Sequence, residues 1–186
     1  MARLEILWPF IKSFEGGFVN DPRDSGGATN MGVTLSSWRK LGYDKNGDGR
    51  IDIDDLRLIS DNDAKGMLRR SYWNRWLASE INDQSIANIL VDWLWMSGDY
   101  GIKIPQRLLG VAVDGIVGPK TLAALNAQNP KAFFAALHKE RADYYGRICQ
   151  NKPSNKAFLK GWMRRLDSIQ YRSLTLNTYP TKIVCF

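Results

Sequence analysis

The stretch EGGFVNDPRDSGGATNMGVT, from Glu15 to Thr34, decides the fold. Just before it, Leu4, Leu7, Trp8, Ile11 and Phe14 recur at steps of three, one, three and three, the apolar stripe of one amphipathic helix. Gly16 and Gly17 stop that helix and leave Glu15 at its C-terminal end, where unpaired carbonyls make the local field negative. A carboxyl held there, with aromatic walls beside it, suits general-acid chemistry. The alternative is an ordinary last-turn glutamate followed by a glycine cap. Residues 18–34 mix Gly, Asp, Asn and Pro with β-branched residues, which predicts a loop and a short hairpin. Asn20, Asp21, Asp24, Thr29, Asn30 and Thr34 crowd this turn region without an evident core role. Polar groups on loops beside a helix-end carboxyl make a site for a sugar chain and an attacking water.

Outward from this stretch the pattern is mainly α. Helices are expected over residues 35–41, from Asp61 or Asp63 to about Trp76, and from Asp83 to Gly98 with Ile86, Ile89, Leu90, Trp93 and Ser97 on one face. Thr121–Leu125 reads as a short helix after a tight turn, and Pro130 opens another that reaches residue 148. Phe158, Trp162, Leu166, Ile169 and Ser173 mark a last one. Trp73, Trp76, Trp93 and Trp95 fall at helical spacing and are expected in the core, with one or two free to line a cleft.

Composition narrows the function. The chain has 186 residues, 44% hydrophobic, with 26 Lys and Arg against 19 Asp and Glu, a net charge of +7. That is a globular composition with enough apolar content for a core. No apolar run approaches the roughly 18–20 residues that span a bilayer, so no membrane insertion is expected. His138 is the only histidine, which excludes sites built on two, and its separation from Cys149 is too large for a nucleophile pair. Cys149 and Cys185 are too few for a disulfide framework, though they could pair. Residues 131–186 alone carry eleven Lys or Arg and three acids, which points either to an anionic partner or to a solvated helix face. The first residues, MARLEILWPF, lack the features of a secretory signal.

The Glu15–Thr34 stretch resembles the signature of glycoside hydrolase family 108, the N-acetylmuramidases of the lysozyme-like superfamily. LVDWLWMSGDYG, residues 90–101, is similar to that family's D-W-x-x-N-S-G segment, with Met96 where the pattern has Asn. QRLLGVAVDGIVGPKTLAALN, residues 106–126, is similar to the D-G-x-x-G-x-x-T signature of peptidoglycan-binding modules. The resemblance implies an α+β fold: a lysozyme-like lobe with a short hairpin over residues 1–104, and a helical peptidoglycan-binding-like region over 105–186 packed on it. It implies that Glu15 protonates the glycosidic oxygen between N-acetylmuramic acid and N-acetylglucosamine. Phage-type lysozymes follow their Glu with an Asp nine positions on and then a Thr, which here are Asp24 and Thr29. Asp21, before Pro22, is the rival second carboxylate. Asn20, Asn30 and Thr34 are the expected substrate contacts. The spacing leaves both a retaining separation of about 5 Å and an inverting one of about 6.5–9.5 Å open.

DKNGDGRIDIDDL, from Asp44 to Leu56, fits a twelve-residue calcium loop. Asp44, Asn46, Asp48, the Arg50 carbonyl, Asp52 and Asp55 take the ligand positions, and Gly49 takes the sharp turn. A structural Ca2+ is expected there, with no metal needed for catalysis; the alternative is an acidic turn that binds nothing. The expected partner is bacterial peptidoglycan, met by a monomer of bacterial or phage origin that is made in the cytoplasm and acts in the periplasm or at the wall. Phage lysis, a prophage remnant and delivery by a secretion machine all fit. Two other classes compete: a non-catalytic wall-binding or calcium-dependent adhesion protein, and a basic nucleic-acid binder. The intact Glu15 stretch favours the enzyme over the first, and the lack of any nucleic-acid motif disfavours the second.

Overall fold

The computed structural model describes residues 1–20 and 27–186. Helix α1 (Leu4–Phe14) buries Leu4, Leu7, Trp8 and Ile11 of the predicted stripe and Phe10 outside it, leaves Phe14 half-buried, and ends at Glu15. Strands β1 (Thr29–Asn30) and β2 (Val33–Thr34) pair antiparallel, Thr29 opposite Thr34 and Asn30 opposite Val33. Their turn, Met31–Gly32, has both residues at positive φ, 49° and 74°, the backbone of a two-residue hairpin whose twist matches its strands. Val19 exchanges backbone hydrogen bonds with Thr29 and extends the hairpin by one bridge. Thr34 caps α2 (Leu35–Leu41) by accepting from the Ser37 amide. The acidic loop then leads to α3 (Ile53–Leu58) and α4 (Asp61–Leu68), each opened by a reciprocal capping box, Asp52 with Asp55 and Ser60 with Asp63. A π-turn (Arg69–Trp73) and two 3-10 turns carry the chain to α5.

Helix α5 (Gln84–Ser97) is the axis of the molecule. Asp83 caps its start, Gly98 ends it, and every residue from Ser85 to Leu94 is buried. A helix covered on all sides must be apolar all round or supply partners for whatever is not. Around it pack α6 (Tyr100–Leu109) and α8 (Pro130–Asn151), with α7 (Pro119–Asn126) against α6 and α9 (Lys156–Asp167) against α8. The described residues include no helix long and apolar enough to cross a membrane.

The structure departs from expectation after residue 167. The last helix ends at Asp167. Ile169 and Ser173 belong to β3 (Ile169–Gln170) and β4 (Ser173–Leu176), which join β5 (Lys182–Cys185) in an antiparallel sheet. Arg172, at φ 67°, makes the turn between the first two strands, so the helical spacing past residue 167 is coincidental. Beyond β4, the Asn177 amide donates to the Ser13 hydroxyl and ties the sheet to α1. Helix α6 runs through residues 104 and 105, so the expected domain boundary falls inside a helix. Both cysteines are free, Cys149 buried and Cys185 exposed.

Candidate active site

Three separate segments converge on Glu15. The first is the helix end itself, which fixes the backbone. The second is α5, from which the Trp95 indole Nε1–H donates to Glu15 Oε1 at 2.8 Å. The third is the last turn of α9, 150 residues away in sequence, from which Arg165 Nη1 donates to the same oxygen at 2.9 Å. Among the described residues both donors are on Oε1 and none is on Oε2. Oε2 faces the hairpin turn. A β-carbon built on Gly32 would lie 2.6 Å from Oε2 and 2.4 Å from the Trp95 ring, and the φ of +74° is itself a glycine conformation. The turn residue is therefore glycine because the carboxyl and the indole lie against its backbone. Tyr72 stacks edge-on against Trp95, 4.7 Å between ring centroids, and forms the aromatic wall; burial holds its hydroxyl above its ordinary pKa.

Arg165 is itself fixed from behind. Asp92, on the buried α5, accepts on Oδ1 from Arg165 Nε at 3.0 Å and Nη2 at 2.8 Å, and on Oδ2 from Arg141 Nη2 at 2.7 Å. Arg141 also donates through Nε to the Tyr145 hydroxyl at 2.8 Å. The rings of Phe10 and Phe14 lie 5.8 and 5.2 Å from the Arg165 guanidinium carbon. Asp92 and Arg141 are fully buried, Arg165 is 6% exposed at its side chain, and Glu15 is 17% exposed. Burial alone would push the Asp92 carboxyl up, but the two guanidiniums outweigh it and hold the group below the ordinary carboxylate range. For Arg165, burial works against the cation, and Asp92 and Glu15 together more than restore it. With Glu15 ionised the two carboxylates balance the two guanidiniums; with Glu15 carrying a proton the network holds one net positive charge. Glu15 lies at its solvent end.

The expected site residues divide. Glu15 is at the centre. Asp24, and with it the rival Asp21, lies outside the described residues. Thr29 is half-buried in β1 on the same hairpin as Gly32. Asn20 is exposed at the edge of the described chain. Asn30 and Thr34, expected as substrate contacts, are otherwise engaged. Asn30 is 5% exposed and donates to the Leu56 carbonyl at 2.8 Å, pinning the hairpin to α3, and the Thr34 hydroxyl is the cap of α2. Trp73, Trp76 and Trp93 are core, whereas Trp95 reaches the site. Met96, the departure from the expected motif, is half-buried one residue beyond Trp95. His138 faces Asp167 at 3.5 Å. Sequence patterning missed Arg165, Asp92 and Arg141. One signal was available: a lone acid inside the apolar run Ile89–Leu94 requires a buried cation.

The acidic loop is wound tightly on its own amides. Asp44 accepts from the amides of Gly47 and Gly49, Asn46 from Asp48, and Asp48 from Arg50. The buried Asp55 accepts from Lys45, Asn46 and Asp52, and these amides, Asp52 foremost, hold its carboxyl below the ordinary range. Among the described residues no three His, Cys, Asp or Glu side chains form a ready-made metal cluster.

Comparison with known proteins divides the chain at the start of α6. Residues 8–98 match the family described as Glycosyl hydrolase 108, and residues 100–167 the family described as Predicted Peptidoglycan domain. Among solved structures, the chain is similar to that of Brucella abortus SagA at 27% identity and a TM-score of 0.72, over 89% of this chain and 90% of that one. No curated protein matches it.

Replacing Asp92 by Asn tests the buried network. Removing one partner of a buried ion pair leaves uncompensated charge, so urea denaturation at pH 7 is expected to show a loss of about 3–5 kcal/mol. Because the native carboxyl is held low, its contribution is complete above about pH 4, the unfolded value, and is lost as pH falls below it. The gap between wild type and Asp92→Asn therefore narrows on acidification below about pH 4. A gap that stays constant with pH contradicts an ionised Asp92.

Proposed function

We propose that this chain, which joins a region matching glycosyl hydrolase 108 to one matching a peptidoglycan domain and so acts on peptidoglycan as a glycoside hydrolase, cuts the β-1,4 bond between N-acetylmuramic acid and N-acetylglucosamine, with Glu15 as the acid. The observation that carries this is the division of labour on the carboxyl. Oε1 is committed to Trp95 and Arg165, and Oε2, which accepts no hydrogen bond from the described residues, is the oxygen proposed to hand a proton to the glycosidic oxygen. As the bond breaks, positive charge develops on the sugar ring, and Glu15 becomes a full carboxylate. Arg165 and the indole N–H are already aimed at the oxygen that receives that charge, so no reorganisation is needed at that moment. Arg165 is in this account a positioning residue, acting through Glu15, and Asp92 holds Arg165. Tyr72 and Trp95, packed edge-on beside Glu15, are the proposed aromatic contacts for the sugar. Asp24 is proposed as the second carboxylate, stabilising the oxocarbenium or orienting water with Thr29. The proposed place of action is the periplasm or the cell wall, where this substrate lies.

We also propose one structural Ca2+ in the 44–55 loop. Hard oxygen donors at the first, third and fifth positions suit that ion, and Gly49 at φ 84° supplies the turn that wraps it. The ion competes with backbone amides for Asp44 and Asp55, which lowers its affinity. At a hundredfold excess over Kd the ion stabilises by about 2.7 kcal/mol. At about 2–4 °C per kcal/mol for a chain of this size, Tm rises by roughly 5–10 °C over the value in chelator. An identical Tm in millimolar calcium and in chelator contradicts the ion and leaves the amides as the loop's only clamp.

Glu15→Gln keeps the volume and the acceptor on Oε1 but has no transferable proton. It is expected to abolish release of reducing ends from purified murein while the far-UV spectrum and Tm stay within a few degrees of wild type. Mass spectrometry of the wild-type digest identifies the bond, and N-acetylmuramic acid at the new reducing end is expected. Full activity of Glu15→Gln overturns the assignment of the acid. Reducing N-acetylglucosamine overturns the bond.

A further inference from the structure

The D-G-x-x-G turn, residues 114–118, builds a wall. Gln106 of α6, fully buried, donates through Nε2 to Asp114 Oδ1 at 2.8 Å and to the Ile116 carbonyl at 2.9 Å, and accepts from the Gly115 amide at 2.9 Å. The Asp114 carboxylate also accepts from the Ile116 amide, so it is engaged in the turn itself. Gly115, at φ 78°, lies against the Lys103 side chain; a β-carbon there would sit 3.1 Å from Lys103 Cε. The signature thus folds the chain over α6 and sets the lysine stem against the turn. Val113, on this turn, closes one side of a groove between α6 and α8.

The groove has a volume of about 320 Å³, within the roughly 300–1,000 Å³ of small-ligand sites. Tyr100, Lys103 and Arg107 line it from α6 at steps of three and four, and Tyr144, Arg147 and Asn151 line it from α8 at the same steps, so each helix presents one face. Tyr100 is 58% exposed and packs on Tyr144 with centroids 5.5 Å apart. Tyr144 is in turn backed by the core ring of Trp93. Among the described residues, three cations and no acid line the groove. Arg147 pairs with Glu140 at 2.7 Å, and Asp99 pairs with Arg75, but among the described residues neither Lys103 nor Arg107 has a carboxylate at ion-pair distance.

We propose that this groove binds a carboxylate-bearing glycan, a sugar ring on the Tyr100 face with its attached carboxylates on Lys103 and Arg107. Resting on the reading of the chain as peptidoglycan-acting, this identifies the ligand as the murein strand, whose stem peptides carry such carboxylates beside the sugar. The aromatic floor selects a sugar face that a bare cationic patch would not. The arginine supplies planar, paired donors matched to a carboxylate. The groove lies within the matched peptidoglycan region and shares no lining residue with the surroundings of Glu15.

The test is co-sedimentation of the full chain with purified sacculi at low temperature. Lys103→Glu with Arg107→Glu is compared with Lys131→Glu plus Lys182→Glu, two exposed lysines off the groove that change the net charge equally. The groove pair is expected to weaken binding at least tenfold and the control pair less than twofold. Tyr100→Ala, at unaltered charge, is expected to weaken it severalfold, and sacculi with amidated carboxylates are expected to bind the wild type as poorly as native sacculi bind the groove pair. Equal loss in both charge pairs, or undiminished binding to amidated sacculi, overturns the proposal. So does tighter binding of duplex DNA than of murein fragments at the same salt, abolished by the groove pair, which assigns the groove to nucleic acid. The readout is binding, so a chain that binds through the groove but releases no reducing N-acetylmuramic acid upholds this site and sinks only the bond assignment.

Discussion

A single buried carboxylate organises this protein. Asp92 sits in the middle of a helix covered on every side, where an unpaired charge costs several kcal/mol. It is tolerated because two guanidiniums reach it, one from α8 and one from α9, and share its two oxygens. The pairing therefore locks three helices in register. A hydrophobic residue of the same volume could fill the space, but it could not hold Arg165 with a free edge facing outward. That edge meets Glu15, so the charge buried to organise the core is also the anchor of the proposed acid.

If Glu15 is the acid, as proposed, the hydrolase region is not a self-sufficient catalytic unit. Its carboxyl, indole and hairpin glycine come from residues 8–98, but the cation on Glu15 comes from the last turn of α9, inside the region matched as a peptidoglycan domain. The two matched regions are thus joined at this contact. In the proposed account the groove between α6 and α8 holds the strand, and Glu15 acts on it.

Much of this was legible in residues 4–34 and 83–98. The stripe from Leu4 to Phe14 and the glycines after Glu15 fixed a helix and its end, and the Gly-rich stretch announced a hairpin. Asp83 and Gly98 bounded α5 correctly because capping chemistry is local. What stayed hidden is non-local. Nothing in the neighbourhood of Arg165 distinguishes it from Arg164, and only the fold carries it to Glu15. Asn30 and Thr34 look like site residues because they are polar and lie on a turn. Their partners, the Leu56 carbonyl and the Ser37 amide, make them struts. The stripe that runs on past Asp167 fails for the same reason: pairing of β3 with β4, and of β4 with β5, decides Ile169 to Leu176 over helical spacing.

The most direct measurement is kcat on soluble murein fragments for Arg165→Met and Arg165→Lys, each corrected for its folded fraction from denaturation. If the guanidinium holds Glu15 in its working geometry, Met lowers kcat by about 100-fold with KM little changed, as misplacing a catalytic group does, and Lys recovers part of the loss. A folded Arg165→Met enzyme that turns over at the wild-type rate contradicts the account and reduces the network to a structural clamp.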